Sequence, residues 1–302
     1  MTHSRQTTVL AWGELLWDLF PAGPKLGGAA ANVAYHAAQL GAESILVSCV
    51  GKDELGRRAL EKLRQAGVNT RHVSVDSAYP TGTVRVEFEQ GEPRFTIGQQ
   101  AAWDTIVWNE SLVQTVARAQ VLVFGTLAQR TPLAAGTLTQ ALCHTQPSAC
   151  HLCDLNLRPP FVTPQVVEDS LRKAHVVKLN ETEAQRLSDW FGVPDPVDYL
   201  LQQRTVRLVA LTRGDRGAAL TTAGEQVDHP GFPVDLQAGD PVGAGDAFTA
   251  ALAMFLPLRL PLASLVRTAN QYAASVASQR GAMPQVPAAL LEELSALAAT
   301  CV

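Results

Sequence analysis

Short apolar runs alternate with helix-period segments along most of this chain. Runs at residues 7–12, 44–50, 121–124, 149–155, 176–179 and 207–212 have the length of strands and carry little charge. Segments 30–40, 54–66, 132–143, 163–174 and 181–190 follow most of them, with the apolar spacing of helices packed on one face, and 247–255 reads as a further helix. This rhythm predicts an α/β protein: a largely parallel sheet covered by helices on both faces. Residues 81–97, TGTVRVEFEQGEPRFTI, break it. Polar and apolar positions alternate there around a Gly-containing turn with no helix attached, so a half-exposed hairpin, a small β flap on the α/β body, is predicted. No repeat, linker or low-complexity stretch divides the chain, so residues 1–302 are expected to form one domain that carries the flap.

Composition narrows the partners. A hydrophobic share of 47% over 302 residues can bury a substantial core, while a net charge of −4 with scattered Lys and Arg leaves no basic face for nucleic acid. The polar start MTHSRQTT and the interrupted apolar stretch at 247–258 give no signal or membrane segment, so a cytoplasmic protein is expected. Five cysteines do not describe a disulfide framework. Cys143 with His144, and the CHLC run at 150–153, contain zinc-ligand types. No second C-x-x-C occurs, however, and alternate side chains of a buried strand point to opposite faces, so zinc is not expected.

In parallel sheets ligands sit beyond the carboxyl ends of strands, where loops enter helices. Two glycine-rich turns fall there. GGAAAN at 27–32 lets backbone approach a small polar ligand, and Asn32 offers both a donor and an acceptor; the other reading is a turn with a structural Asn. DPVGAGDAF at 240–248 is the stronger signal. Gly243, Ala244 and Gly245 have no bulk to shield their N–H groups, which can converge on an anion at the positive end of a helix. Asp246 would repel that anion unless it takes a proton from a hydroxyl that attacks it; the other reading is a helix cap. One base plus an amide cradle is a minimal machine for phosphoryl transfer. Neither a Walker A loop nor a dinucleotide fingerprint is present.

With these residues in place, the chain resembles the PfkB carbohydrate kinases, which have the ribokinase-like fold. GGAAANVAY at 27–35, followed by Gly41 and Gly51, is similar to the first family signature, and DPVGAGDAF to the second. Between them KLNETE at 178–183 resembles the N-x-x-E element and LTRGDRG at 211–217 the T-x-G-x-x-G nucleotide loop, so the match spans almost the whole chain. The resemblance implies an ATP-dependent sugar kinase in which Asp246 is the base and the amides of Gly243, Ala244 and Gly245 form the anion hole. It places Asn180, Thr212, Gly214, Gly217 and Gly245 along the nucleotide and Asn270 at its base. Asn180 and Glu183, three apart and expected to share a helix face, would hold Mg²⁺ through waters; a cap with a surface Glu is the alternative. Asp240 would help bind K⁺, although Pro241 and Val242 stand where relatives carry threonines.

GELLWDLFP at 13–21 and DLNLRPP at 154–160 resemble elements of bacterial fructokinases. The likeness implies that Asp18, Gly28 and Asn32 bind the sugar, with Arg158 nearby. An Asp in so apolar a run also suggests a polyol ligand on physical grounds, because a buried carboxylate needs hydrogen-bond donors. Fructose is the preferred substrate. The 2-keto-3-deoxygluconate kinases carry a similar D-x-N-x-R, where the arginine can clamp a carboxylate, so that reading stays open. A nucleoside kinase is disfavoured, and a non-catalytic sensor on the same fold is the alternative of a different class. A lid is expected around 13–26 and 80–100, smaller than in many relatives because only residues 19–26 separate Asp18 from the di-glycine. Parts of the family form a homodimer through it.

Overall fold

A computed structural model describes residues 6–89, 92–235, 237 and 239–299. The N-terminal half runs β1 (Thr8–Trp12), β2 (Leu16–Phe20), β3 (Gly23–Gly27), α1 (Ala29–Gln39), β4 (Glu43–Gly51), α2 (Glu54–Gln65), β5 (Asn69–Asp76), β6 (Gly82–Glu89), β7 (Glu92–Ile97), α3 (Glu110–Val116), β8 (Val121–Gly125) and α4 (Pro132–Cys143). It continues through β9 (Cys150–Asp154), α5 (Pro164–Leu171), β10 (Val176–Asn180), α6 (Glu181–Phe191), α7 (Pro196–Leu201), β11 (Leu208–Thr212), β12 (Ala218–Thr221) and β13 (Gln226–His229), and closes with α8 (Ala244–Phe255), α9 (Leu262–Ala277) and α10 (Ala288–Ala299).

Nine strands form the main sheet in the order β13-β12-β11-β10-β9-β8-β1-β4-β5. Its pairs are parallel from β11 to β5, while β12 and β13 fold back antiparallel as a hairpin at one edge. Alternation along each strand feeds two apolar layers. Val9 and Ala11 of β1 face one with α1, α8 and α9, and Leu10 and Trp12 face the other with α3 to α7. Burial of both faces explains the near-continuous apolar runs. Cys150 packs toward the first layer and Cys153 toward the second. The C-x-x-C thiols are thus on opposite sides of the sheet, and among the described residues no three His, Cys, Asp or Glu side chains gather as a metal cage.

Local chemistry fixes the helix ends. Asp53, Thr131 and Thr163 each cap a helix by accepting a backbone N–H from its first turn, and the last two are followed by Pro at the first helical position. Gly192, in the left-handed conformation, stops α6. Residues 69–76 and 226–229 read poorly as strands in the sequence because they lie at the edges of the sheet, where half-exposed positions blur the apolar pattern.

A second sheet, ordered β3-β2-β6-β7, lies over one end of the body. The few residues between Asp18 and Gly27 supply two strands because the turn at 21–22 is tight, pairing Phe20 with Gly23. The turn of the 81–97 hairpin lies outside the described residues. Arg130 anchors the far end. It pairs with Asp104 at 2.6–2.7 Å, donates to the Gly98 carbonyl just beyond β7, and stacks on Trp103 at 3.9 Å. Among the described residues no helix is long and apolar enough to cross a membrane.

Candidate active site

The two glycine-rich turns, more than 200 residues apart in sequence, open adjacent helices. Gly28 begins α1 with φ +102°, and a side chain there would run into the Glu14 carbonyl. Gly243 begins α8 with φ +82°, where a Cβ would come within 2.6 Å of the Ala282 Cα. Both positions therefore require glycine. Ala282 is itself fixed by buried His36, which donates from Nε2 to the Ala282 carbonyl at 2.8 Å. That tautomer leaves Nδ1 to accept from the Tyr272 hydroxyl at 3.1 Å, and burial lowers the His36 pKa to about 4, so the ring is neutral.

At the start of α8 the Ala244 N–H is donated to Pro241 O at 3.2 Å. Among the described residues the Gly243, Gly245 and Asp246 N–H groups have no protein acceptor, so the free amides differ by one from the trio read in the sequence: Asp246 supplies its own N–H in place of Ala244. Asp240 ties this loop to the following one. Its oxygens accept from the Val242 and Gly281 N–H groups at 3.1 Å, and its own N–H reaches the Gln279 carbonyl.

Asp246 is partly buried, and its Oδ2 accepts from Asn32 Nδ2 at 2.6 Å. Burial first, and then the charges of Asp154 and Glu14, raise its pKa to about 7 against the Asn32 hydrogen bond and Lys178. The Asn32 Oδ1 is buried with no partner. A buried acceptor left without a partner beside a carboxylate is where a ligand hydrogen-bond donor fits. Asp18 projects from β2 over Gly27, where any side chain would meet its Oδ2. Its carboxylate has no protein hydrogen bond among the described residues, and burial raises its pKa to about 6 despite Arg158 and Lys25. Arg158 is exposed and, among the described residues, donates only to the adjacent Leu157 carbonyl at 3.2 Å.

Asn180 and Glu183 do not share a helix face. Asn180 ends β10 and caps α6, accepting the Glu183 N–H at 2.9 Å, while Glu183 Oε2 accepts the Asn180 N–H at 2.9 Å. This capping box is the cap foreseen as the alternative, but its Glu is only 5% exposed rather than on the surface, because Oε1 turns inward to the Leu157 N–H at 2.8 Å. Burial raises the Glu183 pKa, opposed by Lys178. Thr212, at the end of β11, and Gly214 and Gly217, both with positive φ, form the loop beside α6, where Arg216 pairs with Glu181 at 2.7 Å. Asn270 is 7% exposed and donates back to Val266 O within α9 at 2.8 Å.

Three buried charges near the base escaped the sequence reading. Glu14 is 4% exposed and accepts the Ala29 N–H at the start of α1 at 3.2 Å. Lys178 and Asp154 are cross-strand neighbours on β10 and β9, with Nζ 3.1 Å from both carboxylate oxygens. A charged residue inside an otherwise apolar strand was the available signal for both.

A partly buried carboxylate beside free amides at a helix start, with unpartnered acceptors on a doubly covered parallel sheet, is an arrangement suited to phosphoryl transfer to a hydroxyl. The chain belongs to the pfkB family of carbohydrate kinases, whose pattern, described as pfkB family carbohydrate kinase, matches residues 23–289. The uncharacterized sugar kinase PH1459 of Pyrococcus horikoshii is 32% identical over 264 residues, which cover 85% of this chain and 82% of that protein. Its crystal structure in complex with ATP superposes with a TM-score of 0.80 at 29% identity, covering 92% and 95% of the two chains. Fructokinase-1 of Oryza sativa subsp. japonica is 30% identical over 94% of this chain and 95% of its own. The fructokinase of Vibrio cholerae O395, solved with fructose, ADP and calcium ion, is 26% identical with a TM-score of 0.79, covering 96% and 99%.

Proposed function

We propose that this protein phosphorylates the hydroxymethyl group of fructose with Mg·ATP as donor. The observation that carries the reading is Asp246, a carboxylate held by Asn32 at 2.6 Å directly beside free amides at the start of α8. With a pKa of about 7 it is a base matched to neutral pH. Asp18 and the orphan Asn32 Oδ1 receive sugar hydroxyls and hold the reacting oxygen over Asp246, which takes its proton as the oxygen attacks phosphorus. The Gly243, Gly245 and Asp246 amides meet the charge on the transferring phosphoryl group. The second sheet closes over the sugar and limits water access.

Local charge supports a neutral sugar over an acidic one. The three carboxylates Glu14, Asp18 and Asp246 would repel a substrate carboxylate, against the exposed cations Arg158 and Lys25 beside Asp18. The similarity to plant and bacterial fructokinases points the same way.

The donor set fits a hard cation bound through water. Both Glu183 oxygens already accept backbone N–H groups, so Asn180 and Glu183 would orient waters around Mg²⁺, which neutralises phosphate charge when it arrives with ATP. Thr212, Gly214, Gly217 and Asn270 are assigned to the nucleotide. For K⁺ we propose the loop at Asp240, where carbonyls of residues 277–282 crowd Gly239 and Gly243. A homodimer through the second sheet, where Phe95 is 58% exposed, is the proposed assembly.

Mg·ATP-dependent ADP release across fructose, 2-keto-3-deoxygluconate, ribose, tagatose and adenosine tests the reading. Fructose should be preferred. A keto-acid preference would make Arg158 a carboxylate clamp, and silence from folded protein would favour the sensor.

A further inference from the structure

Lys178 occupies an unusual place for a counterion. Its side chain is 7% exposed, and burial works against its charge, yet Asp154, Glu183 and Asp246 keep its pKa above the ordinary lysine value. Among the described residues it is the one cation paired within a group of four buried or partly buried carboxylates, Glu14, Asp154, Glu183 and Asp246, whose charges shift one another.

Position says more than charge. A Cβ on Gly245 would lie 3.1 Å from Lys178 Nζ, although Gly245 is not in the left-handed region that would otherwise call for glycine. The nearest atom to such a Cβ is thus the Lys178 amine, which would have to give way by a few tenths of an ångström. A triad holds it there. The Thr249 hydroxyl, one turn into α8, lies 2.7 Å from Asp154 Oδ2 and 3.0 Å from the Gly245 carbonyl, so Asp154 braces both Lys178 and the first turn of the helix. An ammonium has three donors, and all of the Lys178 hydrogen bonds go to the one carboxylate of Asp154, which leaves a donor available in a buried site.

We propose that Lys178 is a catalytic residue: its ammonium, seated against Gly245 by Asp154 and Thr249, donates to the transferring phosphoryl group held at the start of α8. The assignment rests on the kinase reading above. It adds a fixed charge that makes no covalent bond, moves no proton, and acts where negative charge gathers on the phosphoryl oxygens.

The test compares calorimetric binding of Mg·ADP and the non-hydrolysable Mg·AMP-PNP to wild type, Lys178→Met, Asp154→Asn and the double variant Lys178→Met/Asp154→Asn. Only AMP-PNP carries the γ group. Lys178→Met should weaken AMP-PNP by at least about tenfold and leave ADP within about threefold, on the scale of one lost charge-assisted contact. Equal loss of both nucleotides overturns the proposal. The double variant removes both charges together, so it guards against misfolding from a lone buried Asp154. It should recover the melting temperature of wild type and keep the selective AMP-PNP defect, while Asp154→Asn alone keeps most AMP-PNP affinity. Restored AMP-PNP affinity in the double variant would show that Lys178 serves only to neutralise Asp154. These readouts need no turnover, so inactivity of wild type toward every sugar would count against the function assigned above and not against Lys178.

Discussion

Asn32 Nδ2 lies 2.6 Å from Asp246 Oδ2, joining the first turns of two helices that begin 215 residues apart, at Ala29 and Ala244. The bond fixes the Asp246 carboxylate and leaves the other end of the Asn32 amide buried and unpartnered.

Replacing Asp246 with Asn keeps an oxygen for the Asn32 amide and removes the basic site. Turnover should fall on the order of 10²- to 10⁴-fold, the usual scale of a general base, with the sugar dissociation constant changed little. Steady-state kinetics with sugar calorimetry checks this; near wild-type turnover would remove Asp246 from its role.

Asp246 must be ionised to accept a proton, so kcat/KM should fall about tenfold per pH unit below its pKa of about 7. The stability consequence has the opposite direction. Because the folded pKa lies above that of the unfolded chain, the stability this group contributes is complete below about pH 4 and declines as pH rises through about 7. Asp246→Asn should therefore gain stability over wild type at pH 8 and little at pH 5, measured by urea unfolding.

Asp18 has no protein hydrogen bond to lose among the described residues, and burial holds its pKa near 6. Asp18→Ala should abolish measurable sugar binding, leave ATP affinity intact and keep or raise the melting temperature. Unchanged calorimetric affinity for fructose would refute its placement.

Glu183 satisfies two backbone N–H groups, of Leu157 and Asn180. Glu183→Ala strands both and should cost about 2–4 kcal/mol in urea unfolding, whereas Glu183→Gln retains one carbonyl oxygen and should cost less. Both variants should also need more Mg²⁺ for half-maximal activity.

The sequence by itself determined most of the strand–helix alternation of the main sheet, the two glycine-rich turns and the place of Asp246 at the head of α8. Those features are local: apolar period, cap residues and backbone freedom act over a few positions. The partnership of Asn32 with Asp246, the Glu183 bond to Leu157, and the Asp154, Lys178 and Thr249 cluster were decided only by the tertiary structure. They depend on which strand lies beside which and on which helix covers them. The same holds for Gly245. Sequence offered it as bare backbone for an anion, while the structure seats the amine of a lysine on a strand more than sixty residues away against it. Buried charges tolerate one another only in a particular three-dimensional arrangement, and no local pattern records that arrangement.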